Sequence, residues 1–319
     1  MRNREYLIEN KIDFKFTQTP EDFVVDEILG FTPKNSGNFL ILHIKKVEYT
    51  TWDMVATFAE FLRVPAQKIG YAGLKDKHAT TTQYISVDAR HEKALQKFRN
   101  KDIKILKTFK HNQPVRMGDL KGNKFTINLR EITNIEAGQI EKIARKTARD
   151  GLPNYFGYQR FGRDGDSLEQ AKEMIHGDLH IADNKIKNFL ISIYQSEFFN
   201  NWLRERVLHS RDENGGKFKI LDGDLFIKKG VVSGLLCGRG AKRASSDARE
   251  IEKKYDDEFL QEKGYRRAGL IFPESVECKY IKKQTLLNIS FELPKGSYAT
   301  VFLESIAGRN YTSKDVKPK

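Results

Sequence analysis

A single carboxylate between two lysines, Lys75-Asp76-Lys77, lies at the centre of Ile-Gly-Tyr-Ala-Gly-Leu-Lys-Asp-Lys-His-Ala-Thr-Thr-Thr-Gln-Tyr-Ile-Ser-Val, residues 69–87. Gly70 and Gly73 let the backbone approach a neighbour or ligand closely. The small hydroxyl run Thr80, Thr81, Thr82 and the alternating exit from Tyr84 to Val87 give the pattern strand, tight loop, strand. An ionised aspartate held on such a loop can act as a nucleophile or a base. Lys75 and Lys77 favour its charged form wherever they face it, although adjacent residues of a strand point to opposite faces.

A second segment, Pro153-Asn-Tyr-Phe-Gly-Tyr-Gln-Arg-Phe-Gly162, gathers aromatics, two glycines, amides and an arginine in ten residues. Aromatic faces stack on bases, amides pair with base edges and arginine holds phosphate, so the composition suits a nucleobase pocket. A glycine and aromatic loop packed under a helix is the other reading. Between residues 90 and 124 there are 11 Lys or Arg against 3 acids (Glu92, Asp102, Asp119), a net of +8. A charge run is commonly a solvated face, but this one has few balancing acids and is interrupted by Phe98, Phe109 and His111, as a phosphate-backbone contact would be.

Other candidate ligands are weak. His43 lies inside a strand without a second histidine spaced to join it, and Gly177-Asp178 between His176 and His180 marks a helix end rather than a metal pair. Gly234 to Ser246 reads as a basic, flexible loop, but no Gly-Lys-Ser/Thr follows to make it a phosphate loop. Cys237 and Cys278 are far apart, which suggests two reduced thiols and neither a disulfide nor a zinc site. The 319 residues carry a formal charge of +13 and are 39% apolar, enough for a sizeable core and suited to an acidic polymer as partner. No run approaches the roughly 18 apolar residues of a spanning helix, and the start, Met-Arg-Asn-Arg-Glu-Tyr, lacks the apolar core of a signal peptide. A cytosolic protein is expected, cytoplasmic in location.

The elements that must position these residues follow from periodicity. Phe14 to Asp26 alternates, breaks at Pro20 and resumes at Phe23; Asn38 to Lys45 and 121–130 are further strands. Thr50 or Thr51 caps a helix with Trp52, Val55, Phe58, Ala59 and Leu62 inward, and Asn134 caps another through Ala148 with Ile135, Ile140, Ile143 and Ala144 on one side. Asp166 or Ser167 starts a helix ending near His176. Lys185 to His209 is long and helical, with Phe189, Leu190, Ile193, Tyr194, Phe198, Trp202, Leu203 and Val207 on a broad apolar face, and 210–216 is a polar break. Asp247 to Lys263 reads as a charged helix, sheet character returns from Gly269, a last helix spans Thr300 to Ala307, and the tail beyond Arg309 reads as frayed. Strands at both ends around a different middle suggest a discontinuous main domain with an insertion.

Three segments in order, Thr-Pro-Glu-Asp-Phe-Val-Val (19–25), Gly-Tyr-Ala-Gly-Leu-Lys-Asp-Lys-His-Ala-Thr (70–80) and Asn-Tyr-Phe-Gly-Tyr-Gln-Arg-Phe-Gly (154–162), resemble the signature set of the TruD family of tRNA pseudouridine synthases. Lys-Gly-Asn-Lys-Phe (121–125) and Leu-Pro-Lys-Gly-Ser-Tyr-Ala-Thr (293–300) extend the resemblance over nearly the whole chain. It implies an α+β fold: a pseudouridine-synthase-type catalytic domain on a largely antiparallel sheet, residues 1–179 and 272–319, with an inserted TruD-specific α/β domain, 180–271, and a cleft for RNA between them.

The same resemblance makes Asp76 the nucleophile, has Asn154 and Phe156 hold the flipped uridine, and lines its pocket with Phe23 and with Tyr298, where the family usually has phenylalanine. Glu21, Lys75 and Gln83 are placed with them on the substrate side, and Lys101, Lys104, Lys107 and Arg160 on the RNA backbone. The family often has a lysine where this chain has Thr17; Lys15 or Lys75 are the stand-ins that the sequence offers. The partner implied is tRNA, with no cofactor, no metal, no membrane and no obligate protein partner, the protein acting as a monomer on the uridine at position 13 of the D arm. A structured-RNA binding protein without turnover is the alternative from another class, and an RNA-cleaving enzyme lacks the paired histidines or carboxylate cluster that it would need.

Overall fold

The structure, a computed structural model, describes residues 3–162, 165–213, 216–228 and 230–316. In chain order, the first half holds β1 (Phe23–Leu29), β2 (Phe39–Val47), α1 (Thr51–Leu62), β3 (Gly70–Tyr71), β4 (Thr80–Asp88), α2 (Glu92–Leu95), β5 (Ile103–His111), β6 (Leu120–Arg130) and α3 (Asn134–Asp150). The middle holds β7 (Leu152–Pro153), α4 (Asp166–His176), α5 (Asn184–Glu213), β8 (Phe226–Lys228), β9 (Val231–Leu236), α6 (Ser246–Glu252), β10 (Tyr265–Ala268) and β11 (Leu270–Ile271). The end adds β12 (Glu274–Ile281), β13 (Leu286–Pro294), α7 (Ala299–Ala307) and α8 (Ser313–Val316). Among the described residues no helix is long and apolar enough to cross a membrane.

The chain divides into two compact units. One, Lys15–Asn134 with Ser275–Gly296, is built on an eight-stranded sheet in the order β12-β13-β6-β1-β4-β2-β5, with β3 added beside β4. β1 pairs with β4 in parallel, whereas β1–β6, β6–β13, β2–β4, β2–β5 and β3–β4 are antiparallel, which makes the largely antiparallel sheet of an α+β fold. Its core lies under α1. Leu40, Leu42 and Ile44 of β2 and Ile85 and Val87 of β4 face Met54, Val55, Phe58 and Leu62. The helix begins where expected, because the Thr50 side chain accepts from the Asp53 main chain while Asp53 accepts from Thr50, a complete capping box. Trp52, expected inward, is 59% exposed and meets Tyr71 edge-on; Met54 takes the inward place.

Phe14 and Phe16 are buried, but the first half of the alternating stretch joins the sheet only through a bridge from Lys15 to Arg130, the strand proper starting at Phe23. The turn before it is held by Asp22, whose carboxylate accepts from Arg130 Nε and Nη2 at 2.7 and 2.8 Å.

The other unit combines the stretch up to Phe14 with Ile135–Glu274 and Ser297–Val316. It contains helices α3 to α8, a three-stranded sheet β10-β9-β8 and the short pair β11-β7. Several expectations change here. Ile135 is 75% exposed, because the buried side of α3 is Ala137, Ile140, Ala144 and Thr147; Phe189 is likewise half exposed. The polar break expected from residue 210 is helical through Glu213, and residues 214 and 215 lie outside those described.

Gly234 belongs to β9, where a Cβ would sit 2.3 Å from the Trp202 ring, so close packing and not flexibility explains that glycine. The charged helix stops at Glu252 with a 3-10 turn to Tyr255, since Asp256 leaves helical geometry and pairs with Arg243 and Arg249. Tyr311, expected in a frayed tail, is buried, and α8 follows it.

Arg4 and Glu304 tie the start of the chain to α7. Arg4 Nε donates to Glu304 Oε2 at 2.7 Å and Nη2 to Oε1 at 2.5 Å, Tyr6 also donates to Glu304, and both ions are buried. Removing one partner of a buried pair strands the other, at a cost of about 3–5 kcal/mol. Glu304→Gln is expected to lose stability on that scale in urea unfolding, whereas an unchanged midpoint would mean that the pair adds nothing.

Candidate active site

Asp76 sits on the loop from β3 to β4, exposed to solvent. Gly70 opens that loop where it must be a glycine, since a Cβ would lie 2.1 Å from the Val115 carbonyl oxygen. The main chain is fixed on both sides of the aspartate. Before it, the Lys75 N–H donates to Thr51 Oγ1 at 2.9 Å, and Thr51 in turn donates to Gln83 Oε1 at 3.1 Å. After it, the Asp76 carbonyl accepts from Lys46 Nζ at 3.4 Å, a long bond, and Lys46 also donates to the Tyr49 carbonyl. The N-terminus of α1 and the ends of β2 and β4 therefore hold this loop together.

Beneath it the sheet is unusually polar. Lys46, Thr51, Thr81 and Gln83 are all buried, as are Lys75 and Glu27, which form an ion pair. Glu27 also accepts from the Tyr84 N–H at 3.0 Å. The protein around the Asp76 carboxyl takes away enough water to raise its pKa above the ordinary carboxylate value, while Lys46, Lys75 and His78 pull it back. Burial brings Lys46 down to about 8, with Asp76 and Asp53 opposing the shift and Lys75 adding to it. A carboxylate that is accessible, anchored and backed by a buried ammonium is equipped for nucleophilic or base chemistry.

In the other unit, Asn154, Phe156, Arg160 and Tyr298 come together. Asn154 Oδ1 accepts from Arg267 Nη2 at 2.9 Å and Ser297 Oγ at 3.2 Å, and its Nδ2 donates to the Ala268 carbonyl at 3.0 Å. The Phe156 ring meets Tyr298 at 6.3 Å and Phe199 at 5.7 Å. The Arg267 guanidinium lies over it, 3.9 Å from the centroid, and that of Arg160 lies 5.6 Å away. Arg160 donates to Ser192 and Ser196 hydroxyls at 2.6 and 3.1 Å. Burial lowers both arginines, Arg267 to about 10, with the Tyr298 phenol opposing. Gly157 is needed beside this cluster, because a Cβ would meet Gln159, Tyr298 and Thr300. Two cations, an amide and two rings form a surface suited to a planar, anionic ligand such as a nucleotide.

The remaining expected residues fall in the sheet unit. Phe23 is 4% exposed and packs on Phe16 and Phe125, in the core. Glu21 is exposed in the turn that Asp22 holds. Lys101, Lys104 and Lys107 are exposed around the edge strand β5, where a bulge opposite His43 and Ile44 sets Lys104 across from Lys45 and Lys107 across from His43. Those two lysines therefore share one face of the sheet despite their odd spacing.

The comparisons with known proteins bear on what this arrangement is for. The family profile described as tRNA pseudouridine synthase D (TruD) matches residues 3–185. The tRNA pseudouridine synthase D of Wolinella succinogenes is 36% identical, over 97% of this chain and 99% of the relative. The chain belongs to the TruD family. A second TruD relative, from Nitratiruptor, is 37% identical over 95% of the chain and 97% of its own length. The crystal structure of a candidate TruD protein from Methanosarcina mazei has the same fold, with a TM-score of 0.73 at 22% identity over 96% of both chains.

Reading by sequence missed two residues of this TruD chain. Lys46 continues the period of Leu40, Leu42 and Ile44 on the buried side of β2, a signal that its charge disguised. Arg267 lies in a stretch dense in charge, with nothing local to single it out. The raised Asp76 carboxyl has a consequence for stability. Its folded pKa exceeds the unfolded one, so the folded state binds the extra proton and loses stability as pH rises through that interval. Asp76→Asn is accordingly expected to have a Tm at pH 7.5 equal to or above that of the wild type in calorimetry; a lower Tm would contradict this account of the site.

Proposed function

We propose that the protein isomerises uridine to pseudouridine in tRNA, at position 13 in the D arm, with Asp76 as nucleophile. The observation that carries this is the Asp76 loop, anchored and charged as described, in a chain 36% identical over nearly its whole length to a tRNA pseudouridine synthase D. The reaction breaks the C1′–N1 bond, turns the uracil and joins C5 to C1′. The proton leaves C5 and one is gained at N1, so atoms and electrons balance within the isomer pair without an oxidant or an outside group. Three routes are open to an ionised Asp76: addition to C1′, addition to uracil C6, or assistance of elimination.

Extruding the base from its stack costs a few kcal/mol, which binding outside the helix must offset. In this reading Phe156 stacks on the uracil with Asn154 and Tyr298 around it, while Phe23, packed on Phe16 and Phe125 in the core of the sheet unit, is left out of the pocket. Glu21 acts on the substrate side, Lys75 and Gln83 support the Asp76 loop from the buried layer beneath it, Arg160 and the β5 lysines meet phosphates, and residues 180–271 form the inserted domain in a monomeric enzyme. The buried, doubly bonded amide of Asn154 supports a role in holding the rings of its cluster as much as one in pairing with the base.

Asp76→Asn should bind tRNA as the wild type does yet reduce pseudouridine formation by about 10³-fold or more, measured by tritium release from C5-labelled uridine in transcribed tRNA. Product at wild-type rate would rule out the nucleophile. Neutralising Lys101, Lys104 and Lys107 together should weaken tRNA binding and flatten its dependence on salt by roughly two to three units of log–log slope. An unchanged slope would place the RNA elsewhere.

A further inference from the structure

Lys46, an anchor of the Asp76 loop, has no part in the reaction as assigned so far, although it is the most heavily buried charge beside Asp76. Its exposure is 0%, on the strand face that otherwise carries Leu40, Leu42 and Ile44. A lysine in such a place costs stability unless its charge is used, and its hydrogen bonds go to two main-chain carbonyls, those of Tyr49 and Asp76, and not to a carboxylate. Opposite it in register on β4 is Thr81. Thr81 Oγ1 and Gln83 Nε2, on the same face, are buried without a protein partner, so polar capacity collects under this loop beyond what the fold consumes.

The geometry points to Lys46 as a positioning residue for the proposed reaction: by grasping the Asp76 carbonyl from below it aims the carboxylate, and its charge keeps that carboxylate ionised when the uridine excludes water. The charge that the family motif would have at Thr17 is thereby supplied from β2. This inference rests on Asp76 being the nucleophile.

The charged groups that act on Lys46 are Asp76 and Lys75 from the loop and Asp53 from the first turn of α1, and Lys75 is itself paired with Glu27 of β1. Of these, Asp76 is the acid whose own carbonyl Lys46 holds. Because the ammonium is lowered to about 8, raising pH through that value removes the charge that keeps the substrate-covered carboxylate ionised, and turnover should fall although the remaining amine can still donate to the Asp76 carbonyl.

The test compares Lys46→Met, Lys46→Arg and Asp76→Asn in the full chain on transcribed tRNA. Lys46→Met is expected to lower kcat about 100-fold with KM changed less than about 3-fold, because misaiming the nucleophile and not losing RNA is the defect. The wild-type kcat should decline above about pH 8, and Lys46→Arg should restore much of the activity and carry no such decline, since a guanidinium does not deprotonate there. Full kcat in Lys46→Met, or the same alkaline decline in Lys46→Arg, would overturn the inference. Should Lys46→Met fail to fold, the pH profile of Lys46→Arg decides alone. An active Asp76→Asn would remove the nucleophile and this inference together, whereas an inactive Asp76→Asn beside a fully active Lys46→Met removes the inference only.

Discussion

A reactive side chain on a loop is only as well placed as the main chain beneath it. In this protein the ties are the Thr51 hydroxyl on the amide before Asp76 and the Lys46 ammonium on its carbonyl. Thr51 is in place because Thr50 and Asp53 fix the first turn of α1, and Lys46 because β2 is paired on both sides, with β4 and with β5. Helix cap, central strand and loop form one mechanical unit. The buried polar layer that joins them carries a cost in desolvation, borne by the apolar contacts of α1 over the rest of the same sheet face.

The aromatic and arginine cluster works on another principle. There the Phe156 ring is covered by the Arg267 guanidinium, which also grips both oxygens of Asn154, so ring, amide and cation hold each other in place. A guanidinium plane is itself a surface on which a base can stack. The cluster thus includes a residue from β10, more than a hundred positions from the Asn154 and Phe156 that it contacts.

Much of this was legible because it is local. The glycines and alternation of residues 69–87 correspond to the β3–β4 hairpin, and the caps at Thr50 and Gly177 end or begin helices where the sequence suggests. What depends on distant partners was not. Trp52 and Ile135 follow the helical period, yet their neighbours leave them in solvent. The run from Asp247 has the composition of a helix, but ion pairs to Arg243 and Arg249 draw Asp256 out of it. The β1–β4 pairing has no turn to announce it, being parallel, and the buried side of β2 reads through to Lys46 only once burial is known.

The return of β13 to the sheet has a kinetic meaning. Asn288 bonds to Asn128 across 160 positions, so β6, in the middle of the sheet, emerges from the ribosome long before the strand that covers its other edge. Until then it presents unpaired amides and carbonyls beside a half-built core, and the large intervening segment must be made first. Synthesis from one end therefore leaves this edge of β6 unpaired until the intervening segment has been made, and a chain truncated before β13 cannot cover it.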